Sequence, residues 1–412
     1  MQGGYFMIHV AFGFNDKKGT YSKFVGTTML SLFENTNEEV TVHILHDNTL
    51  TDDNHDKFIY LAGRYSQAVK FYNVEKLCAE KIEKFLSLAP EVEGWRLTRG
   101  AFYRLLIPQI FPMEIEKCIY LDSDIIVNLD IKELWQIELG EKILAAVPEI
   151  LFYGSVNEMN NGFRLCKDGL VKHEDYFNSG VLLMNLKLLR GEEKNIIDAF
   201  YFRAQNPQYR DYFDQNVLNY CFSTKTLKLP IKFNKPTKIV RLEKEPLTKK
   251  IYHYAGGSFG IGLGLDMKDA LNRLWMKYFV KTPWFNEKTI GQLYEGFMQV
   301  QNDLKKSALN ISAAMKIKSR AFITVESKLN KVIENFSVRE GEEVFIMTDN
   351  TPAENLINTI KNSREEKIFF LFLPNFPLNL LEENGLVRGE DFFNGFDFFL
   401  NEYNSYPLAK AM

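Results

Sequence analysis

The stretch K-C-I-Y-L-D-S-D-I-I-V-N-L-D-I-K-E-L-W, residues 117–135, decides how the rest of the chain is read. Residues 118–121 form an apolar run with no charge inside it, which suits a strand buried on both faces. The run breaks at Asp122-Ser123-Asp124, and a second apolar run begins at once with Ile125. Side chains at i and i+2 of an extended backbone project to one side. Asp122 and Asp124 therefore converge where the strand leaves the core. Such a pair is costly without a neutralising cation, and carboxylate oxygens favour Mg²⁺ or Mn²⁺. These ions keep open positions for phosphate oxygens, so a metal-bridged diphosphate is the natural third party. An isolated D-x-D is more often a solvated turn. Its place between two apolar runs tilts the reading towards a metal, and other residues must decide it.

Working outward, the amino-terminal side alternates regularly. Residues 5–12 read as a buried strand broken by Gly13-Phe14-Asn15-Asp16, and residues 27–33 as helix ending near Asn35. Strands over 40–46 and 68–73 are each followed by a helical pattern, over 53–66 and 74–88. This rhythm predicts a doubly wound α/β sheet, with ligands at the carboxyl ends of its strands. Asn15, Asp16, Asp47, Asp122 and Asp124 all follow such ends, so they fall on one rim. Residues 101–107 read as a helix whose Arg104 lies in a largely apolar turn. A buried arginine needs an anion, here Asp122 or a phosphate.

On the carboxyl side, Asn178-Ser179-Gly180 reads as a small polar corner before a strand, and Gly180 permits close backbone approach to a ligand. An ordinary turn explains it as well. Asp214-Gln215 opens a helix, where the acid is a cap if nothing more. Within 251–257 a strand ends in His253 before a glycine cluster; a lone histidine there is more often structural, but beside the two aspartates it becomes a third ligand candidate. Residues 269–279 form an amphipathic helix that either docks on the sheet or touches a membrane or acceptor surface. Pro283 stops it, and a domain boundary is expected near residue 286. The expected domains are 1–286 and 287–412. Residues 288–337 read as largely helical; 343–348 and 367–373 read as strands around a helix at 353–361. This small α/β unit has Rossmann-like rhythm and no G-x-G-x-x-G.

Across its 412 residues the chain is 46% hydrophobic, enough for two cores, and its net charge of −3 excludes a nucleic-acid footprint. Four scattered cysteines form no C-x-x-C, which favours reduced thiols in a cytoplasmic protein. No signal peptide and no transmembrane run is read.

Taken in order, the strand before Asn15-Asp16, the Arg104 helix, Y-L-D-S-D, F-N-S-G-V-L-L-M-N-L, D-Q-N-V-L-N and I-Y-H-Y-A-G resemble glycosyltransferase family 8 over about 280 residues. That family includes bacterial lipopolysaccharide galactosyl- and glucosyltransferases and glycogenin. The resemblance implies a GT-A fold, a Rossmann-like mixed sheet flanked by helices, here with a smaller carboxyl-terminal α/β appendage. It implies a retaining hexosyltransferase that moves galactose, or next glucose, from a UDP-hexose to a glycan or glycoprotein acceptor. The implied cofactor is Mn²⁺, with Mg²⁺ as the alternative. By the same resemblance Asp122, Asp124 and His253 hold the metal, with Ser123 between the acids on the donor side. Ala11, Phe12, Asn15 and Asp16 would cradle uracil and ribose. Arg104, Asn178, Ser179, Gly180, Asp214 and Gln215 would face the donor sugar, with Asp214 and Gln215 nearest the chemistry, and Gly256 would meet the diphosphate. One departure stands out: Gly257-Ser258-Phe259-Gly260 occupies the place of the family's Lys-Pro-Trp segment. Two competitors remain. A haloacid-dehalogenase phosphatase wants D-x-D-x-T/V on its first strand, and position 126 is Ile. A non-catalytic sugar-nucleotide or glycan-binding protein would fit the missing lysine.

Overall fold

The computed structural model describes residues 7–17, 19, 21–90, 99–149, 164–209, 213–255, 267–287, 289–291, 318–336, 338, 340–348, 351–373, 376–395, 399–401 and 404–405. They fall into two compact units, one reaching Ile290 and one from Gly291 onward.

In the first unit the apolar runs become β1 (Ile8–Gly13), β2 (Val40–His46), β3 (Ala68–Asn73) and β4 (Lys117–Leu121). With β6 (Leu144–Pro148), β7 (Phe177–Asn185) and β8 (Thr226–Lys228) they form a seven-stranded mixed sheet in the order β3-β2-β1-β4-β7-β6-β8. The first four pair in parallel, so Asn15, Asp47 and Asp122 follow strand ends on one edge. β7 runs antiparallel to β4, which brings its amino end to the same edge. Alternation assigns the two faces. Ile8, Val10 and Phe12 join Ile119 and Leu121 in one core, while Ala11 joins Cys118 and Tyr120 in the other.

The first core is roofed by α1 (Tyr21–Asn35), which buries Val25, Met29, Leu30, Leu32 and Phe33. Each such side chain stabilises the fold by about 1.5–3 kcal/mol. The helix Ala270–Phe279 lies against α1, its Leu271, Leu274, Trp275, Tyr278 and Phe279 buried. Docking is thus the fate of that apolar face, and the membrane-facing alternative for it is corrected. Among the described residues no helix is long and apolar enough to cross a membrane. Trp284 packs against α1: a Cβ on Gly26 would lie 2.2 Å from its ring, and its indole N–H donates to Asn54 Oδ1 at 2.8 Å.

A second, small sheet in the order β5-β10-β9 joins β5 (Ile125–Val127), β10 (Ile251–His253) and β9 (Lys235–Pro236). β5 and β10 are antiparallel with His253 opposite Ile125. The end of one therefore meets the start of the other, next to Asp124.

Three expectations of local structure are corrected. Asn178, Ser179 and Gly180 lie within β7, paired to β4, and are no corner before it. The helix over 74–88 is broken at Cys78 into Val74–Leu77 and Ala79–Leu88. Residues 288–337 are not uniformly helical: the segment S-R-A-F-I-T-V is β11 (Ser319–Val325). In the second unit β11 is an inner strand of a parallel sheet with β12 (Glu343–Met347), β13 (Lys367–Phe372) and β14 (Phe392–Asn394), in the order β12-β11-β13-β14. Phe322 and Phe370 pack on one of its faces, Ile323 and Leu371 on the other.

Candidate active site

The turn from β4 to β5 carries Asp122, Ser123 and Asp124. It is held by small polar side chains of α1: Thr28 Oγ1 donates to Ile125 O (2.7 Å) and Ser123 O (3.0 Å), and Ser31 Oγ accepts from Val127 N (2.9 Å). Across from it, His253 Nε2 lies 3.3 Å from Asp124 Oδ1 and 3.8 Å from Asp122 Oδ2. Ligand atoms of all three residues lie within 4.8 Å of one another. Burial opposes charge on His253 and on Asp124, yet their mutual attraction wins, raising the imidazole and lowering the carboxyl. Two carboxylate oxygens and one imidazole nitrogen form a donor set that suits Mn²⁺ and accepts Mg²⁺ less readily. The cradle is built for the histidine: a Cβ on Gly180 would lie 2.3 Å from His253 Cε1 and 2.9 Å from Asp122 Oδ2. The missing side chain at Gly180 thus makes room for the His253 ring.

Asp122 divides its two oxygens. Oδ1 accepts from Arg104 Nη2 (2.8 Å) and from the Tyr120 hydroxyl (3.0 Å), leaving Oδ2 to the cluster with His253. Arg104 is 6% exposed. Its Nη1 donates to Ser179 O (2.7 Å), its Nε pairs with Asp214 Oδ2 (3.0 Å), and its guanidinium lies 4.3 Å over the Tyr120 ring. Burial alone would lower its pKa; Asp122 and Asp214 outweigh that and hold it protonated. Burial pushes the Asp214 carboxyl up to about 6 against the pull of Arg104. Gln215 Oε1 accepts from Ser179 N at 3.0 Å. Arg104, Asp122, Ser179, Asp214 and Gln215 therefore form one contiguous group.

The other end of the rim is built differently. Asn15 Nδ2 and the Tyr103 hydroxyl both donate to Asp47 Oδ2, at 2.5 and 2.7 Å. Desolvation would raise Asp47, but donors from Thr49, Asn15 and Tyr103 hold it below the usual carboxylate range. Gly100 lets the 3₁₀ helix Arg99–Leu106 abut this loop, since a Cβ there would lie 2.7 Å from Asn15 N. Asp16 caps α1: Oδ1 accepts from Tyr21 N (2.7 Å), and Oδ2 from Ser22 Oγ (2.5 Å) and Asn54 Nδ2 (3.1 Å). Both its oxygens serve the fold. The Ala11 and Phe12 side chains, 0% and 1% exposed, also belong to packing, one in each core. Tyr21 links the two ends of the rim. Burial first, then Asp124, Asp122 and Asp16 push its hydroxyl above the ordinary range. Gly256 and residues 257–260 lie outside the described residues.

Sequence reasoning missed several contributors. Thr28 and Ser31 had a readable signal, polar residues three apart on a helix that is otherwise apolar there. Glu149 and Asn234 had none. They reach the site through Asn178, whose Nδ2 donates to Glu149 Oε2 (2.7 Å) and whose Oδ1 accepts from Asn234 Nδ2 (2.8 Å).

With this geometry in place, known proteins can be set beside it. The Glycosyl transferase family 8 profile matches residues 9–258. The chain belongs to glycosyltransferase family 8. It is 26% identical over 234 residues to General stress protein A of Bacillus subtilis, covering 55% of this chain and 74% of that one. It is 28% identical over 207 residues to the lipopolysaccharide 1,3-galactosyltransferase of Salmonella typhimurium, covering 49% and 56%. The chain thus spans little more than half of that relative. Among solved structures it is similar to galactosyltransferase LgtC in complex with donor and acceptor sugar analogues, with TM-score 0.54 and 19% identity over 69% of this chain and 99% of that one. This family 8 chain accordingly has the GT-A glycosyltransferase fold, with the Asp-Asp-His cluster on its rim.

Proposed function

We propose that this family 8 chain transfers a hexose from a UDP-sugar to a glycan acceptor, on a glycoprotein or a surface polysaccharide, with retention at the anomeric carbon. The observation that carries the reading is the convergence of Asp122, Asp124 and His253 within 4.8 Å. These three would hold a divalent cation, Mn²⁺ in preference to Mg²⁺. When bound, the cation supplies positive charge for the diphosphate leaving group. Asn15 marks the nucleotide end, with Asp16 and Asp47 holding its loop. Arg104 orders the sugar side by fixing Asp122, Ser179 and Asp214. Asp214 and Gln215, one an acceptor and the other both donor and acceptor, are suited to reading a sugar edge. Neither is free to act as an unencumbered nucleophile: Asp214 is ion-paired to Arg104, and the Gln215 carbonyl is bonded to Ser179 N. This supports attack from the leaving group's own face, with the departing phosphate taking the acceptor's proton. Galactose is favoured over glucose as the transferred sugar on the family resemblance alone, since its relatives include a lipopolysaccharide 1,3-galactosyltransferase and two lipopolysaccharide 1,2-glucosyltransferases.

UDP release from UDP-galactose, UDP-glucose and UDP-N-acetylglucosamine, with and without glycan acceptors, tests the reading. UDP-galactose should be turned over best. EDTA or Asp124→Ala should lower the rate on the order of a hundredfold or more. Normal turnover in EDTA would refute the cation site, and binding without turnover would return the chain to the non-catalytic class.

A further inference from the structure

We infer that Asn234 is a positioning residue for His253: through Asn178 and Asn234, the main-chain N–H of Gly180 fixes which imidazole nitrogen faces the two aspartates. The inference rests on the reading of Asp122, Asp124 and His253 as a cation site.

The argument runs from groups whose roles are not negotiable. A main-chain N–H can only donate, and Gly180 N lies 2.9 Å from Asn178 Oδ1. That end of Asn178 is therefore its carbonyl. The opposite end agrees independently, because Asn178 Nδ2 lies 2.7 Å from Glu149 Oε2, and a carboxylate accepts. With Asn178 fixed, the Asn234 atom 2.8 Å from its carbonyl must donate, so it is Nδ2. The other end of Asn234 is then Oδ1, which lies 2.9 Å from His253 Nδ1 and can only accept. His253 Nδ1 must carry a hydrogen. In the neutral ring that leaves the lone pair on Nε2, the nitrogen facing Asp124 and Asp122.

Burial makes the relay strict. Asn234, His253 and Glu149 are 2%, 4% and 6% exposed, so reversing any link would set donor against donor or acceptor against acceptor. Without the Asn234 carbonyl, neutral His253 could place its hydrogen on Nε2 and donate it to Asp124. That tautomer cannot ligate a cation. Partners that fix a ligating histidine in this way typically govern metal affinity by about 10- to 100-fold. Asn234 sits among irregular elements, between the short helix Ile231–Phe233 and β9, which explains why no motif announced it.

Two measurements on the full-length protein test the inference. The first needs no variant and no metal. Long-range ¹H–¹⁵N spectra of the histidine rings, recorded at rising pH until the His253 ring is neutral, should show it protonated on Nδ1. The resonance is assigned by its loss in His253→Gln. The second is Mn²⁺ binding, followed by the electron paramagnetic resonance of the free ion. Asn234→Leu should weaken binding about 10- to 100-fold and move the His253 hydrogen to Nε2. Asn234→Asp keeps an acceptor at Nδ1 while setting its other oxygen against the Asn178 carbonyl, so it should retain the Nδ1 tautomer whatever its Mn²⁺ affinity. An Nε2-protonated His253 in the wild type overturns the inference, and does so even if the leucine variant fails to fold. So does a folded Asn234→Leu that binds Mn²⁺ like the parent. Wild-type protein that takes up no Mn²⁺ overturns the cation reading itself, and this inference with it.

Discussion

Gly180 shows how little room the rim leaves. It lies inside a regular strand, so its value is not conformational. What it provides is the missing methyl that would collide with His253 and Asp122. Gly180→Ala should cost about 1–3 kcal/mol as an overpacked site, while moving the imidazole from its place. We expect Mn²⁺ affinity to fall about tenfold or more, read by titration alongside thermal unfolding; unchanged affinity would show that the ring is not held there. His43 makes the opposite case, a residue that matters to stability and not to the site. It is fully buried, 3.0 Å from His9 and 3.1 Å from the Tyr72 hydroxyl. Burial, then His9 and Lys70, push its pKa down to about 3. The folded state therefore binds fewer protons at this ring than the unfolded state, whose value is near 6.5. Its stabilising effect is complete above pH 6.5 and is lost as pH falls towards 3, by about 1.4 kcal/mol per pH unit. Urea unfolding at pH 7 and pH 5 should show His43→Gln losing about 2 kcal/mol less than the wild type. Equal losses would mean that His43 is already charged in the fold.

At the scale of the element, α1 joins the core to the site. Its apolar residues roof the sheet, while Thr28 and Ser31 clamp the β4–β5 turn by its main chain. Thr28→Val keeps the shape and removes the hydroxyl that Ile125 O and Ser123 O share. The cost should be about 1–3 kcal/mol, since carbonyls are left buried without that donor, and UDP-sugar turnover should fall with it. Thr27→Val is the control, because Thr27 bonds only within its own helix, to Lys23 O. If both valines behave alike, the clamp is not what orders the acids. The same helix marks the limit of what could be read beforehand. β1, β2 and β4 were legible because a strand buried on both faces is predominantly apolar. Asp122, Asp124 and His253 were legible because strand ends are where such runs break. Thr28, Asn234 and Glu149 act through positions that only tertiary contact defines. The capping role of Asp16 was not legible, because a cap and a binding acid have the same sequence signature. β11 was passed over because its short segment, interrupted by Arg320, sat within a stretch read as largely helical.

For the whole molecule, each unit holds its own core, and only the first unit carries the chemistry assigned above. Among the described residues the Asp122–Asp124–His253 cluster is the one group able to hold a metal. The second unit buries Phe322, Phe336, Phe369, Phe370 and Phe372 around a parallel sheet, which is enough apolar surface to fold by itself in principle. No cluster of acids or histidines of that kind is described at its strand ends, so its contribution is sought away from the reacting bond. We predict that a chain ending at Ile290 keeps Mn²⁺ binding and UDP-sugar hydrolysis to within a few-fold, and loses transfer to a macromolecular glycan acceptor. Loss of transfer with hydrolysis intact assigns the second unit to acceptor capture. Loss of both in a chain that still unfolds cooperatively would make the second unit part of the donor site. Equal transfer by the short and full chains would leave acceptor recognition wholly to the first unit, whose rim must then hold the acceptor as well as the donor.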